Sequence, residues 1–130
     1  MSASLTRVVA AVVERGHRVL IALRPPDKRY GGMWEFPGGK VEGSESDLEA
    51  LRRELAEELR IHVVTTSPPV ATFQDPGSAF LIVFVPVVAE GEPECREHLA
   101  IYWATWPELA ELPLAPTDAR FVASRSAARA

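Results

Sequence analysis

Between Gly38 and Ile61 a glycine pair, a capped helix and a cluster of carboxylates follow one another without a break. Ser46 with Glu49 three residues on fits a capping box, in which each side chain satisfies a free backbone N–H at the helix start. Ser44 with Asp47 is a rival start. Leu48, Leu51, Leu55 and Leu59 then recur at helical spacing and make an apolar stripe that must face a core. Glu54, Glu57 and Glu58, at i, i+3 and i+4, cover an arc of roughly 100° beside that stripe. Ala50 lies one turn before Glu54, where a small side chain is expected to leave room for ions and ligand. Like charges at this spacing cost stability unless something positive sits between them. Clustered carboxylates are hard oxygen ligands, so the expected partner is a divalent cation such as Mg²⁺.

The flanks read mainly as strands. Leu5–Val13 is valine-rich, and Arg18–Leu23 follows a turn at Glu14–His17, so the two are expected to form a hairpin. Pro25 and Pro26 end it. Trp34–Phe36 is a short extended piece, stopped by Pro37–Gly38–Gly39. After the helix come strands at Ile61–Thr66, Val70–Gln74, Phe80–Val88 and Leu99–Ala104. Phe80–Val88 is the most apolar and should be central, with Pro86 marking an edge or bulge at its far end. A short helix or turn is expected over Trp106–Glu111, with Pro107 in its first turn, and a final helix from Asp118 to about Ala127, capped by Thr117. The expected class is α+β: one domain over residues 1–130, a mixed sheet between the acidic helix and the terminal helix, in α/β/α layers.

Bulk properties narrow the function. A net charge of −4 argues against a face for a nucleic-acid polymer, although a metal can still invert the field locally for a nucleotide. Cys95 is the only cysteine, which fits a reducing cytosol. The longest apolar run, Ala79–Ala89, is far short of the ~20 residues that span a bilayer, so no membrane is expected and the expected location is the cytoplasm.

Gly39, Glu45 and the run Arg53–Glu54–Leu55–Ala56–Glu57–Glu58–Leu59–Arg60–Ile61 resemble the Nudix box, Gly-x5-Glu-x7-Arg-Glu-U-x-Glu-Glu-x-Gly-U, where U is bulky and aliphatic. Only the last glycine departs, being Arg60; that touches helix termination and not metal binding. Trp34–Glu42 and the tail from Glu97 through Trp103 to Asp118 are similar to the MutT branch, the tail most of all to its CTP-type pyrophosphohydrolases.

The resemblance implies the Nudix fold and Mg²⁺-dependent (Mn²⁺ is the other candidate) hydrolysis of a (deoxy)nucleoside triphosphate to monophosphate and pyrophosphate, in nucleotide pool sanitation or pyrimidine turnover. By the same resemblance the Gly38 carbonyl, Glu54, Glu57 and Glu58 are metal ligands. Glu97 matches a further carboxylate that binds metal or acts as base, and the base is either Glu54 or Glu97. Arg53 should hold the carboxylates by pairing with Glu45 or Glu54, while Gly39 and Glu45 are structural members of the motif. Arg24 matches a position near ligand phosphate or sugar; Glu35, Phe36, Pro37 and Gly38 match the edge of the base pocket. Trp34 packs on the base or on the sheet, and His98 orients Glu97 or is structural.

Asp118 matches the base-reading position. An ionised Asp only accepts hydrogen bonds, so a donor-rich edge is expected: the cytosine N4 amino group, or guanine N1–H and its N2 amino group. Two other readings are a hydrolase of ADP-ribose, NADH or a dinucleoside polyphosphate, and a Nudix module that binds a nucleotide without cleaving it. The partner in each case is a small-molecule nucleotide, with the chain a monomer or a homodimer.

Overall fold

The computed structural model describes residues 4–129, with side chains to Arg125. Its centre is β1 (Thr6–Arg15), which runs parallel to β7 (Phe80–Glu90) from the pair Thr6–Phe80 to the pair Val13–Val87. Successive side chains of a strand point to opposite faces. Val9, Ala11 and Val13 therefore enter one core with Leu51, Leu55 and Leu59 of α1 (Asp47–Leu59). Ala10 and Val12 enter a second core with Phe84 and with Phe121 and Val122 of α3 (Pro116–Arg129). A strand buried on both faces reads as a continuous apolar run, which is why the valines of β1 do not alternate with polar residues. The mixed sheet between two helices is the expected α+β arrangement.

The sequence-based hairpin forms, but only Glu14–Val19 and Arg15–Arg18 pair. Beyond them β2 (Arg18–Leu23) leaves β1 and pairs at Ala22 and Leu23 with β3 (Trp34–Glu35), while β8 (Ala100–Thr105) pairs with it from Arg18 to Leu23. The place beside β1 is taken by β4 (Gly38–Lys40), through the pairs Val8–Lys40, Val9–Gly39 and Ala10–Gly38. The extended piece does stop before the bend at Pro37, but Gly38 and Gly39 re-enter the sheet as a strand. A Cβ on Gly38 would run into the Val9 carbonyl oxygen, so glycine is what permits this close pairing.

Pro86 sits inside β7, where the outer partner changes. Leu81–Phe84 pair with β6 (Ala71–Gln74), and Val87–Glu90 with β5 (His62–Thr66). The missing proline N–H falls in the gap between those two ladders, while the Pro86 carbonyl accepts from Ser67 N–H at 3.0 Å.

Helix α1 starts as its capping box requires: the Ser46 hydroxyl accepts from Glu49 N–H at 3.1 Å and Glu49 accepts from Ser46 N–H at 2.9 Å. Burying each leucine of its stripe is worth about 1.5–3 kcal/mol. Ala50 is in the same core and fully buried, so it makes no room at the acidic face; it lets the helix lie close to the sheet. The helix ends at Arg60, whose φ of 56° and ψ of 33° are left-handed. The short helix α2 (Trp106–Leu109) carries its own capping box, from Thr105 and Glu108. Helix α3 begins earlier than expected, at Pro116, and Thr117 does not cap it; its hydroxyl donates to Asp75 instead.

Candidate active site

The acidic side of α1 faces β4. The bare Cα of Gly39 lies against the Glu54 carboxylate, where any side chain would displace it. Arg53 holds this region in place. Its guanidinium donates to both Glu45 oxygens at 2.8 and 2.9 Å, to Glu54 Oε1 at 2.6 Å and to the Lys40 carbonyl at 2.9 Å. One planar fork thereby joins the loop after β4 to the helix, a task a lysine could not perform. The same guanidinium, with a backbone N–H from Glu42, holds the Glu45 carboxyl down at about 2.

Glu58 is the buried member of the acidic triad, 6% exposed. Burial first, then a hydrogen bond and charge repulsion from Glu54, then Glu35 and Glu97, push its carboxyl up to about 10. Its Oε2 has no hydrogen-bond partner. Glu57 lies outward, more than half exposed, 3.9 Å from Arg53. Among the described residues no three acidic, histidine or cysteine side chains form a closed metal cage. Even so, the donors suit a divalent cation: a partnerless buried carboxyl oxygen, beside Glu54 and in the field of Glu35 and Glu97. A cation there would reverse the upward shift at Glu58.

Glu97 reaches Glu58 through the end of the helix. The last carbonyls of α1 need donors. Glu94 N–H supplies one to Leu59 and Arg96 N–H another to Glu58, at 2.8 and 3.3 Å, which pins the loop and places Glu97 beside the helix end. On the opposite wall Arg24 Nη1 donates to Glu35 Oε1 at 2.8 Å, and His98 Nε2 pairs with Glu35 Oε2 at 2.9 Å. His98 therefore orients Glu35. Its Nδ1 is buried without a partner.

These walls enclose a cleft of about 520 Å³ lined by Arg24, Glu35, Gly38, Glu58, Glu97 and Asp118, among others. At its inner end Asp118 Oδ2 accepts from Phe36 N–H at 2.8 Å. Burial, the largest cause, pushes the Asp118 carboxyl up to about 8, against the opposing pull of that hydrogen bond. This upward push favours the protonated form, which offers a donor as well as an acceptor, over the ionised, acceptor-only form expected from the sequence. The Phe36 ring is core, edge-on to Phe84 and Phe121, while its backbone serves the cleft. Pro37 is outside the cleft lining and its carbonyl accepts from Ala11 N–H at 2.7 Å. Trp34 packs near Tyr102, with ring centroids 6.3 Å apart, also away from the lining. Tyr30, Asp75 and Phe80 line the cleft without having stood out in the sequence.

Residues 4–124 match the family model described as NUDIX domain. This chain belongs to the Nudix family. Among Nudix relatives, it is 40% identical over 130 residues to the CTP pyrophosphohydrolase of Escherichia coli (strain K12), covering 97% of this chain and 95% of that protein. It is 47% identical over 57 residues to the 8-oxo-dGTP diphosphatase of Proteus vulgaris, covering 43% of this chain and 51% of that one. A solved structure from a study of MutT from Aliivibrio salmonicida and Vibrio cholerae superposes with a TM-score of 0.76 at 30% identity, over 94% of this chain and 99% of the other. The chain is a MutT-like Nudix hydrolase with the Nudix fold. No helix among the described residues is long and apolar enough to cross a membrane.

Proposed function

We propose that this Nudix hydrolase cleaves a (deoxy)nucleoside triphosphate of cytosine or of oxidised guanine to the monophosphate and pyrophosphate, in the cytoplasmic nucleotide pool and with Mg²⁺ bound. The observation that carries this reading is the buried, partnerless Glu58 carboxyl oxygen in a cleft that Asp118 also lines. Bound there, Mg²⁺ (or Mn²⁺) would neutralise charge developing on the phosphates and lower the pKa of the attacking water. The residues to hold it are Glu54, Glu57 and Glu58, with the Gly38 carbonyl and Glu97.

The other parts of the site divide the remaining work. Arg53 keeps Glu54 in a single position. Arg24, paired with Glu35, supplies positive charge to phosphate or sugar within an acidic cleft. Glu97 and Glu54 are the two carboxylates able to take the proton of water. Of these, Glu54 is already engaged by the Arg53 guanidinium, 2.6 Å away, which leaves Glu97 the freer of the two to reach a water. Asp118 reads the base edge. Its protonated carboxyl complements a neighbouring donor and acceptor, as cytosine presents at N4 and N3 and guanine at N1 and O6.

A hydrolysis panel tests the proposal: CTP, dCTP, 5-methyl-dCTP, dGTP, 8-oxo-dGTP and ADP-ribose, with Mg²⁺ and with Mn²⁺, and products resolved. The expected products are a nucleoside monophosphate and pyrophosphate from a cytosine or oxidised-guanine substrate. Turnover of ADP-ribose alone, or release of inorganic phosphate from the triphosphates, would overturn it.

A further inference from the structure

Four polar or charged residues are buried among the described ones: Glu58, Asp75, Thr117 and Asp118. Glu58 and Asp118 belong to the site above. Asp75 and Thr117 do not, yet they bond to each other, and Thr117 is the neighbour of Asp118 on the first turn of α3.

Asp75 directly follows β6 and is 3% exposed. Its Oδ1 accepts from the Thr117 hydroxyl at 2.6 Å. Its Oδ2 accepts from the Tyr30 hydroxyl at 3.2 Å and the Ser78 hydroxyl at 3.4 Å, with Arg29 Nη2 3.5 Å away. One carboxylate thus ties together the loop after β2, the β6–β7 turn and the first turn of α3. A buried carboxyl costs stability unless its oxygens are hydrogen-bonded, as these are. The loop is held more tightly than a surface connection requires. Arg29 also donates to the Pro76 carbonyl at 2.9 Å and to the Tyr30 hydroxyl at 2.8 Å. Tyr30 itself has a φ of 60°, a left-handed conformation that costs an aromatic residue about 1–3 kcal/mol and persists only where the surroundings over-determine it. Such strain collects at ligand clamps. Tyr30, Asp75 and Asp118 all face the same cleft.

We propose that Asp75 is a specificity-determining positioning residue for the nucleobase end of the cleft. Resting on the proposed triphosphate hydrolysis, this inference adds how the base is discriminated: Asp75 fixes the Tyr30 loop relative to the turn that carries Asp118. A planar base entering between them meets a slot of fixed shape, so Asp118 can discriminate by hydrogen-bond geometry. The carboxylates of α1 and their Arg53 anchor make no hydrogen bond to this clamp, whereas Arg24 touches it, its Nε donating to the Arg29 carbonyl at 2.5 Å.

The test compares Asp75→Asn, Thr117→Val and Tyr30→Phe with the wild type, measuring kcat and KM for CTP, dGTP, 8-oxo-dGTP and ATP, with folding followed by circular dichroism. In Asp75→Asn, KM for the preferred nucleotide should rise about tenfold with kcat nearly kept, because a small misplacement of a positioning group costs one to two orders of magnitude. The preference of the enzyme for its best base over its worst should shrink by a similar factor. Thr117→Val removes one bond to Asp75, Tyr30→Phe removes one to Asp75 and one from Arg29, and each should move the preference the same way by less. A loss of kcat/KM by one common factor for every base overturns the inference, as does an unchanged preference in the folded variant. Should Asp75→Asn not fold, the other two decide, and unchanged preference in both overturns it. A wild type that turns over no triphosphate overturns the proposed function, and this inference with it.

Discussion

Glu58 and Asp118 are both carboxyls that burial drives toward the neutral form, and they invite different tests. At Glu58 the expected gain is in stability and the loss in activity. Glu58→Gln replaces a carboxyl that must take up a proton to be buried neutral at pH 7, so in EDTA the variant should melt at or above the wild-type temperature. Its kcat should fall about a hundredfold or more, since a metal ligand is worth several kcal/mol of transition-state stabilisation. Wild-type turnover by a folded Glu58→Gln would remove the metal assignment. At Asp118 the prediction concerns pH. Its pKa is raised from the ordinary 3.8 to about 8, so the folded protein holds a proton that the unfolded chain has released. The stability this contributes is complete below pH ~4 and is lost as pH rises through about 8. Asp118→Asn keeps the acceptor for Phe36 N–H and abolishes the titration. Relative to that variant, the wild type should lose on the order of 1 kcal/mol per pH unit between pH 5 and 8 and then level off. Parallel melting curves over pH 5–9 in EDTA would contradict the buried proton. The type of residue at both positions was visible in the sequence; the protonation states were not, because burial is a property of the folded chain.

At the scale of elements, what is written locally was legible. The leucine stripe gave the facing of α1, and of its two candidate starts, Ser46–Glu49 and Ser44–Asp47, the first is the one that forms, because caps and periodicity act within a few residues. Segments whose partners lie far along the chain were misread. Gly38–Lys40 carries turn residues but pairs with β1, and Thr117 looks like a cap but bonds Asp75, 42 positions away. Arg60 shows a local rule overridden. It occupies the left-handed position at the helix end where the box has glycine, with its Nε 3.6 Å from Glu94 in an exposed ion pair. Left-handed backbone costs a non-glycine residue roughly 1–2 kcal/mol, and glycine gives back about 0.5–1 kcal/mol through the unfolded chain. An exposed pair adds little. Arg60→Gly should therefore stabilise by about 0.5 kcal/mol in urea unfolding, with kcat/KM unchanged. A measured destabilisation would mean that the Arg60–Glu94 contact, or the loop it touches, contributes more than exposure suggests.

For the whole molecule, the two-sided core was legible from the apolar runs of β1 and β7, whereas their parallel pairing has no local signature. The site depends on that pairing. Arg24, Glu35, Glu58, Glu97 and Asp118 come from five separate segments and share one cleft only when the sheet is complete. Ligands that bind only this assembly must stabilise it by mass action. The two ligands should also depend on one another. In the proposed complex a triphosphate alone would meet Glu35, Glu58 and Glu97, and a cation alone would compete with the protonation of Glu58. Together they neutralise each other's charge. At a hundredfold excess over Kd, Mg²⁺ with a non-cleavable analogue of the preferred nucleotide should add about 2.7 kcal/mol. For a chain of 130 residues that raises the melting temperature by roughly 10 °C. Either ligand by itself should give a small fraction of this shift, and Glu58→Gln should abolish the synergy while leaving the fold intact. The same rise from nucleotide without Mg²⁺ would show that the phosphates are held by the arginines alone, and that the acidic face of α1 is not where they bind.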